Sequence, residues 1–217
     1  MQTKADVTKT RILDCAREEF LSAGFAEASL RRIAAQAEVT TGAIYRYFPD
    51  KRALFAAATE EAAAQFHKMM DAACNDTVLA ASEGVSFGPG DSRENMAKFY
   101  GMIYESFDQF YLLLMCGDET GGRSFLHEFV KVEEESTLAY LDALKQHYGS
   151  DYAVDEVALH FLLEAYVSAL MEPVRHRMSR EDAILHAQNL SVYFAVGWLG
   201  VERLLRGESE DSLVPGR

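Results

Sequence analysis

Apolar residues recur every three or four positions along almost the whole chain, the spacing that collects them on one side of an α-helix. No run of alternating apolar and polar residues, bounded by turn residues, predicts a β-strand. The pattern therefore predicts an all-α protein.

Three helices are predicted in the first fifty residues, the second and third of them short. The first covers residues 9–23, ends at Gly24 as a left-handed C-cap, and aligns three apolar side chains: Ile12, Ala16 and Phe20. Ser29 is an N-cap residue for a second helix over residues 30–37, and Thr40 is one for a third helix of under two turns. The third helix is expected to end near Tyr47 and Phe48.

Longer helices are predicted in the remainder of the chain. Asp50 is placed to cap a fourth helix, which carries apolar residues as far as Ala73. Residues 75–91, with Pro89 between two glycines, are interpreted as a flexible connection. Further helices are predicted over four apolar stretches, residues 96–114, 125–144, 155–172 and 180–206. Pro173 is expected to end or kink the third of these.

Charge divides the chain unevenly. The 217 residues include 21 basic and 34 acidic side chains, a net charge of -13 and the wrong sign for coating nucleic acid or anionic membranes. Residues 1–52 nevertheless hold nine basic against seven acidic side chains. Such asymmetry indicates that the N-terminal segment is built to approach an anion and the remainder is built for another task.

Composition also indicates the compartment. No uninterrupted apolar stretch approaches the ~18 residues of a membrane span, and no apolar segment follows the charged N-terminus. Three cysteines lie far apart, Cys15, Cys74 and Cys116, which favours neither disulfides nor zinc. A soluble, cytoplasmic protein without membrane association is expected.

Two short helices joined by three or four residues, the second entered through a Thr cap, are typical of a helix-turn-helix. In that arrangement the second helix lies in the major groove of DNA. The spacing alone is equally compatible with a helical hairpin that only packs into a core.

The segment covering residues 11–55 resembles the N-terminal DNA-binding domain of TetR-family transcriptional regulators. The resemblance rests on Gly24-Phe25, on SLRRIA at residues 29–34, and on TTGAIYRYF at residues 40–48 followed by Lys51. It implies a homodimer that binds double-stranded operator DNA as a repressor and releases it when a small-molecule effector binds. The expected domains are a helix-turn-helix domain over residues 1–52, a helical-bundle ligand-binding and dimerisation domain over 53–207, and a flexible tail over 208–217.

Side chains at and near the recognition helix supply the expected DNA contacts. Hydroxyl groups and helix-end N–H groups can donate hydrogen bonds to phosphate, and the tyrosines can pack on sugar and reach phosphate. Arg46 is the candidate for reading guanine, Ala43 for a thymine methyl, and the resemblance makes Lys51 a phosphate anchor. The candidate DNA-binding residues are Ser29, Arg31, Thr40, Thr41, Gly42, Ala43, Tyr45, Arg46, Tyr47 and Lys51. Ile44 and Phe48 are expected in the core, and a solvated position suits Arg31 nearly as well.

Two residues depart from the family pattern. Glu38 occupies the turn position usually filled by glycine, where a left-handed backbone is costly for other residues. Ala43 replaces a frequent Thr or Ser, so one polar contact is missing and the family's sequence preference does not carry over.

The resemblance also implies that the last two long helices pair with their copies in a second subunit. Apolar and small residues suited to such a face are Leu159, Leu162, Tyr166, Tyr193, Val196, Gly197, Gly200, Val201 and Leu204. Packing within one chain explains the same pattern.

An effector pocket is expected among the helices of the second domain. Residues available to line it are Phe66, Met69, Met70, Phe99, Tyr100, Ile103, Tyr104, Phe107, Phe125, Phe129 and Tyr166, although core packing explains them as well. Four acidic residues would favour a cationic amphiphile if they faced the pocket, although solvated positions explain most of them: Glu105, Asp108, Glu128 and Glu164.

Enzymatic interpretations are less favoured. The segment GDETGGRS at residues 117–124 is close to a P-loop, but its acidic residues would face phosphate and no predicted sheet lies beneath it. The histidines form no zinc or di-iron motif, and Glu156 with His160 suits a surface hydrogen bond. Neither catalysis nor a cofactor is expected. The alternative is a helical small-molecule-binding protein, or a bundle enzyme, with a degenerate helix-turn-helix.

Overall fold

A computed structural model of the chain describes residues 4–85, 89–117 and 125–213. Within these ranges the chain is helical, with no strand, which confirms the all-α prediction. The helices are α1 (Lys4–Glu27), α2 (Leu30–Gln36), α3 (Thr41–Tyr47), α4 (Lys51–Ser82), α5 (Pro89–Glu105), α6 (Phe107–Cys116), α7 (Phe125–Tyr148), α8 (Glu156–Arg175) and α9 (Arg180–Leu205), followed by a short 3-10 helix, Glu210–Leu213.

The chain forms two compact units. One contains Met1–Phe66 and Glu105–Phe125, and the other contains His67–Tyr104 and Leu126–Arg217. The first unit therefore extends beyond residue 52, because Leu54, Phe55 and Ala58 of α4 are buried in its core together with Leu112 and Cys116 of α6. The functional division expected at residue 52 stays a prediction.

Buried side chains from α1 to α4 fix the N-terminal unit. Ile12, Ala16 and Phe20 are buried along α1, as predicted, and Ile44 and Phe48 are core residues. Three phenylalanine rings meet at centroid distances of 5.2 to 5.9 Å: Phe20, Phe25 and Phe55. Aromatic rings at such separations add to the stabilisation that burial provides.

Capping residues set the ends of these short helices as predicted. The side-chain oxygen of Ser29 accepts from Arg32 N–H, that of Thr40 accepts from Ala43 N–H, and that of Asp50 accepts from Ala53 N–H. Each bond satisfies a helix-end donor that has no partner within the helix.

Helix α1 is longer than the predicted 9–23 but is interrupted where the sequence indicated. Gly24 has φ 72° and ψ 171°, outside the helical region and accessible chiefly to glycine. Gly24 is therefore not the left-handed C-cap that was expected: its φ is positive, but its ψ is extended, and helical structure resumes and continues to Glu27.

Several predicted boundaries after α4 were wrong. Residues 75–91 are not one long connection, because α4 continues to Ser82 and α5 begins at Pro89. Thr77 adapts to the helix by donating its hydroxyl to the carbonyl of Ala73. The single helix predicted over residues 96–114 is two, because Ser106, with φ -130°, separates α5 from α6.

Two expectations concern the C-terminal helices and the segment after them. Pro173 lies inside α8, which ends two residues later at Arg175. In the segment expected to be a flexible tail, Glu208 and Ser212 contact Arg203 beside the 3-10 helix, and the flexibility of this tail stays a prediction. Residues 214–217 lie outside the described chain.

The second unit is built on α8 and α9 with α4, α5 and α7. Tyr100 donates its hydroxyl to the carbonyl of Leu170, and Tyr104 donates to that of Met178. These bonds tie α5 to α8 and to the segment just after it. Helix α8 is long and apolar enough in composition to cross a bilayer, and it packs on α9 while part of its apolar surface stays exposed.

Glu19 links α1 to α2 and generates a stability prediction. Its buried carboxylate accepts from Ser29 N–H at 2.8 Å and from Arg32 Nε at 2.8 Å. These hydrogen bonds, chiefly the one from Arg32, lower the pKa of Glu19 despite its burial. A carboxylate with a lowered pKa stabilises the fold above its unfolded pKa, and this stabilisation is lost as the pH falls through the folded pKa.

We expect Glu19→Gln to lower the free energy of unfolding at pH 7 by about 1.5–3 kcal/mol, because charge-assisted hydrogen bonds are lost. Thermal unfolding followed by circular dichroism measures this loss of stability. The difference in stability between the variant and wild type should shrink below pH 4. Glu18→Gln, at the exposed neighbouring position, is the matched control and should change little. Equal effects of the two substitutions would contradict this assignment.

Candidate nucleic-acid interface and ligand cavity

Helix α3 presents one face to its own core and another to solvent. Ile44 is buried, whereas Gly42 and Arg46 are exposed and Tyr45 is 54% exposed. A Cβ at Gly42 would meet only the Thr40 hydroxyl, at 3.8 Å. The start of α3 is therefore open to close approach along its backbone.

The other predicted contact residues of α3 lie beside this open face. Thr40 is exposed, while Thr41, Ala43 and Tyr47 are half-buried. The Tyr47 hydroxyl donates to the carbonyl of Ala5 at 3.5 Å, a long bond. Its ring is thereby held between α1 and α3.

Lys51 makes contacts that the sequence did not predict. Its ammonium donates to the carbonyls of Ala26 and Ala28, at 2.9 and 3.2 Å, and lies 4.8 Å from the centre of the Phe25 ring. In this arrangement Lys51 joins the start of α4 to the segment between α1 and α2. Its expected contact with phosphate stays a prediction.

The two arginines of α2 differ in their surroundings. Arg32 binds the buried carboxylate of Glu19 and donates to the carbonyl of Glu27, so it holds the fold together. Arg31 is exposed, and Ser29 is half-buried while it caps α2. Both side chains are exposed, but only the guanidinium of Arg32 is engaged by Glu19.

Glu38 adopts the backbone conformation that the turn requires. Its φ is 52°, in the left-handed region, and its carboxylate lies 3.3 Å from Arg11 Nη1. The turn between α2 and α3 thus keeps its geometry despite the non-glycine residue. The exposed ion pair offsets little of the backbone cost.

A cavity of about 520 Å³ lies within the second unit, among α4, α5, α7, α8 and α9. This volume falls in the range of small-molecule sites. Five of the eleven residues predicted to line an effector pocket line it: Met69, Met70, Phe99, Phe129 and Tyr166.

The remaining six predicted residues do not line this cavity. Tyr100 and Ile103 are fully buried, and Tyr104 bonds to Met178. The other three belong to the N-terminal unit, where two ring pairs form: Phe66 with Phe125 at 4.8 Å, and Phe107 with Tyr111 at 6.2 Å. Core packing explains all six.

The cavity also contains residues that the sequence analysis missed. Aromatic rings come from α7 and α9, and polar groups from four helices: Asp76, Lys98, Glu133, Thr137, Tyr140, Ser191, Phe194, Trp198 and Glu202. The four acidic residues considered earlier are elsewhere: Glu105, Asp108 and Glu164 are exposed, Glu128 is half-buried, and none lines the cavity.

Two carboxylates on the cavity wall differ in their partners. Glu202 accepts from the Tyr140 hydroxyl and lies 3.8 Å from Arg206 Nη2. Glu133 has no hydrogen bond or ion pair with any residue that the structure describes. Burial raises the pKa of Glu133 to about 7.

An exposed apolar face runs along α8 and α9. It includes Leu162, Tyr193 and Val196 of the predicted dimer residues, with Gly197 beside them. Val157, Phe161 and Leu185 enlarge it. Leu159 is instead buried, Tyr166 lines the cavity, and three residues are half-buried: Gly200, Val201 and Leu204.

The motifs that were weighed as signs of an enzyme do not form a catalytic or metal site among the residues that the structure describes. Most of the P-loop-like segment, residues 118–124, lies outside the described chain. His160 contacts Glu134 at 3.2 Å and Glu164 at 3.7 Å, so the predicted pairing with Glu156 was wrong. Across the described ranges, no three His, Cys, Asp or Glu residues form a metal-binding group.

Comparison with known proteins supports the interpretation of the N-terminal helices. Residues 12–58 match the family model of "Bacterial regulatory proteins, tetR family". Over 57 residues the chain is 44% identical to the HTH-type transcriptional regulator UidR of Escherichia coli K12. That match covers 26% of this chain and 29% of UidR, so it spans under a third of the relative's length.

Solved structures extend the likeness of fold to nearly the whole chain. A TetR-like transcriptional regulator from Rhodococcus sp. RHA1 superposes with a TM-score of 0.55 at 22% identity, covering 96% of this chain and 100% of the other. A protein of Mesorhizobium loti MAFF303099 assigned to the TetR family gives 0.51 at 19% identity, covering 91% and 98%. At these identities the likeness establishes the fold alone.

Capped α2 and α3, with an exposed outer face on α3, define a helix-turn-helix domain of the kind found in DNA-binding regulators. Over residues 12–58 this domain is similar to the family of bacterial regulatory proteins named after TetR.

The left-handed Glu38 generates a second stability prediction. Because a Cβ at such a φ costs about 1–2 kcal/mol, Glu38→Gly should raise the free energy of unfolding relative to Glu38→Ala by about 1 kcal/mol. The alanine variant is the matched control, since it removes the same ion pair and keeps the Cβ. Urea unfolding followed by circular dichroism measures both, and equal stabilities would show that the turn stores no strain.

Proposed function

We propose that the protein is a DNA-binding transcriptional regulator, a homodimeric repressor that a small-molecule effector releases from its operator. The observation that carries the proposal is the exposed face of α3, with Gly42, Tyr45 and Arg46 on a helix capped by Thr40. It acts in the cytoplasm, where its DNA target is found.

Arg46 and Tyr45 have the chemistry for the two kinds of contact that such a helix makes. An exposed guanidinium reads guanine edges through paired hydrogen bonds, and an exposed tyrosine reaches sugar and phosphate. The local excess of basic residues in the first 52 positions attracts the duplex although the whole chain carries -13.

The exposed apolar face on α8 and α9 supports the proposal that the chain pairs with a second subunit. Tyr193 is 79% exposed, and Phe161, Leu162 and Val196 are each more than half exposed. A contiguous exposed apolar surface of this kind marks an interaction site. A twofold dimer carries two copies of α3, and reading successive turns of DNA needs two such helices ~34–36 Å apart.

The cavity supports effector control. A ligand weakens DNA binding only if it binds the DNA-incompetent state better than the competent state. Helix α4 is one continuous helix that carries Lys51 at its start and places Met69 and Met70 in the cavity wall. Couplings of this type amount to ~1–3 kcal/mol.

DNA binding is tested by fluorescence anisotropy with labelled fragments taken from upstream of the gene and its neighbours. Affinity should fall steeply as salt rises, because phosphate contacts release counterions. Absence of binding to every fragment at low salt, with and without cell-extract metabolites, would overturn the proposal.

Arg46→Ala should weaken binding to the best fragment by about 1–3 kcal/mol. Arg93→Ala, an exposed arginine of the second unit, changes net charge equally and is the matched control. If both substitutions weaken binding to the same extent, net charge and not α3 determines it. Size-exclusion chromatography should show an unchanged oligomer for both variants.

Val196→Asp tests the dimer. A carboxylate in the centre of an apolar interface loses hydration without a partner, so the variant should elute as a monomer and lose DNA affinity. Leu79→Asp is the control, because Leu79 is 62% exposed on α4 and lies outside the α8 and α9 face. A dimer that survives Val196→Asp would place the subunit interface elsewhere.

A further inference from the structure

Glu133 is an ionisable residue of the cavity wall for which the described part of the chain supplies no counterion. It lies on α7 and lines the cavity, yet no described residue donates a hydrogen bond to its carboxylate or forms an ion pair with it. Glu133 is half-buried, and a carboxylate withdrawn from water without a partner is destabilising.

The other charged groups of the cavity already have partners or reach solvent. Glu202 of α9 is bonded to Tyr140 and lies near Arg206. Lys98 of α5 pairs with Glu94 at 2.7 Å and is exposed. Asp76 of α4 is exposed. The charged lining is thus three carboxylates and one neutralised ammonium, a surplus of negative charge.

Aromatic rings surround the same space. Six of them line the cavity: Phe99, Phe129, Tyr140, Tyr166, Phe194 and Trp198. Tyr166 and Phe194 lie with ring centroids 4.3 Å apart, and Phe99 and Phe129 lie 5.7 Å apart. Ring faces attract organic cations, tryptophan most strongly, while their hydrocarbon edges accept an apolar body.

Tyr166 lies close to Glu133 without neutralising it. Burial, with a further contribution from the Glu133 charge, raises the pKa of Tyr166, so its hydroxyl stays protonated. That hydroxyl is directed to Met96 Sδ at 3.8 Å. The Glu133 carboxylate therefore stays available to a ligand.

We infer that the cavity binds an organic cation, an amine or quaternary ammonium carried on an apolar body, and that Glu133 is its anionic anchor. The inference rests on the proposed function, in which this cavity holds the effector, and it adds the chemical class of that effector.

The inference implies a direction for the pH dependence. Because burial raises the pKa of Glu133 to about 7, its carboxyl is partly protonated near neutral pH. A cation favours the ionised form, so affinity for a permanent cation should rise about tenfold between pH 6 and pH 8. A neutral ligand bonded to the protonated carboxyl would bind more weakly as the pH rises.

The chain provides its own reporter for the test. Trp198 is the single tryptophan of the chain and lines the cavity. Its fluorescence should change on titration with benzyltriethylammonium, whose charge does not depend on pH. The comparison ligand is the uncharged analogue in which a quaternary carbon replaces the nitrogen.

Glu133→Gln should weaken binding of benzyltriethylammonium by about tenfold or more and abolish the pH dependence, because the anionic partner is gone. Affinity for the uncharged analogue should stay within about twofold, since Gln has nearly the same size. Glu135→Gln, at an exposed position on the same helix, changes net charge equally and should bind as wild type does. Circular dichroism establishes that each variant is folded.

Equal affinity of wild type and Glu133→Gln for the cation, or an affinity that falls with rising pH, would overturn the inference. The pH dependence of cation affinity in the wild-type protein tests the inference even if the variant does not fold. These titrations contain no DNA, so failure here leaves the proposed regulator intact. Conversely, cation binding without binding to any DNA fragment would support the cavity assignment and count against the regulator.

Discussion

Helices α2 and α3 contain seven residues each, too few to persist in water on their own, so tertiary contacts must hold them. Ile33 and Ile44 supply those contacts from the inner faces, and Ser29 and Thr40 satisfy the first backbone donors. With the inner side of α3 used for packing, its outer side is left to solvent. The exposed positions of Tyr45 and Arg46 follow from this division.

The regular parts of the fold could be predicted because they depend on local chemistry. N-cap residues and apolar periodicity indicated α2, α3 and the start of α4 closely, and they located α1 although it is longer than predicted at both ends. The end of α4 was missed because Asn75 and the Gly84 to Pro89 region suggested a loop, whereas the Ala- and Leu-containing residues between them favour helix. Ser106 interrupts a continuous apolar pattern, and nothing in that pattern marks such a break.

The candidate sites were predictable to different degrees. On α3 the exposed residues are fixed by helical spacing, so sequence reasoning identified them. In the cavity, periodicity shows which side of a helix is apolar but not whether it meets a neighbour or a void. Phe66 and Tyr100 therefore looked like Phe99 and Phe129, although only the latter two line the space. Glu133 was overlooked because it lies in an acidic run that reads as a solvated surface.

The cavity has a consequence for the life of the protein in a cell. Protein interiors are packed as tightly as organic crystals, whereas about 520 Å³ among these helices is not filled by side chains and is partly open to solvent. A molecule that fills it stabilises the native state by mass action. Small gains of this kind change how much chain is cleared by proteases, so abundance of the protein should follow that of its ligand.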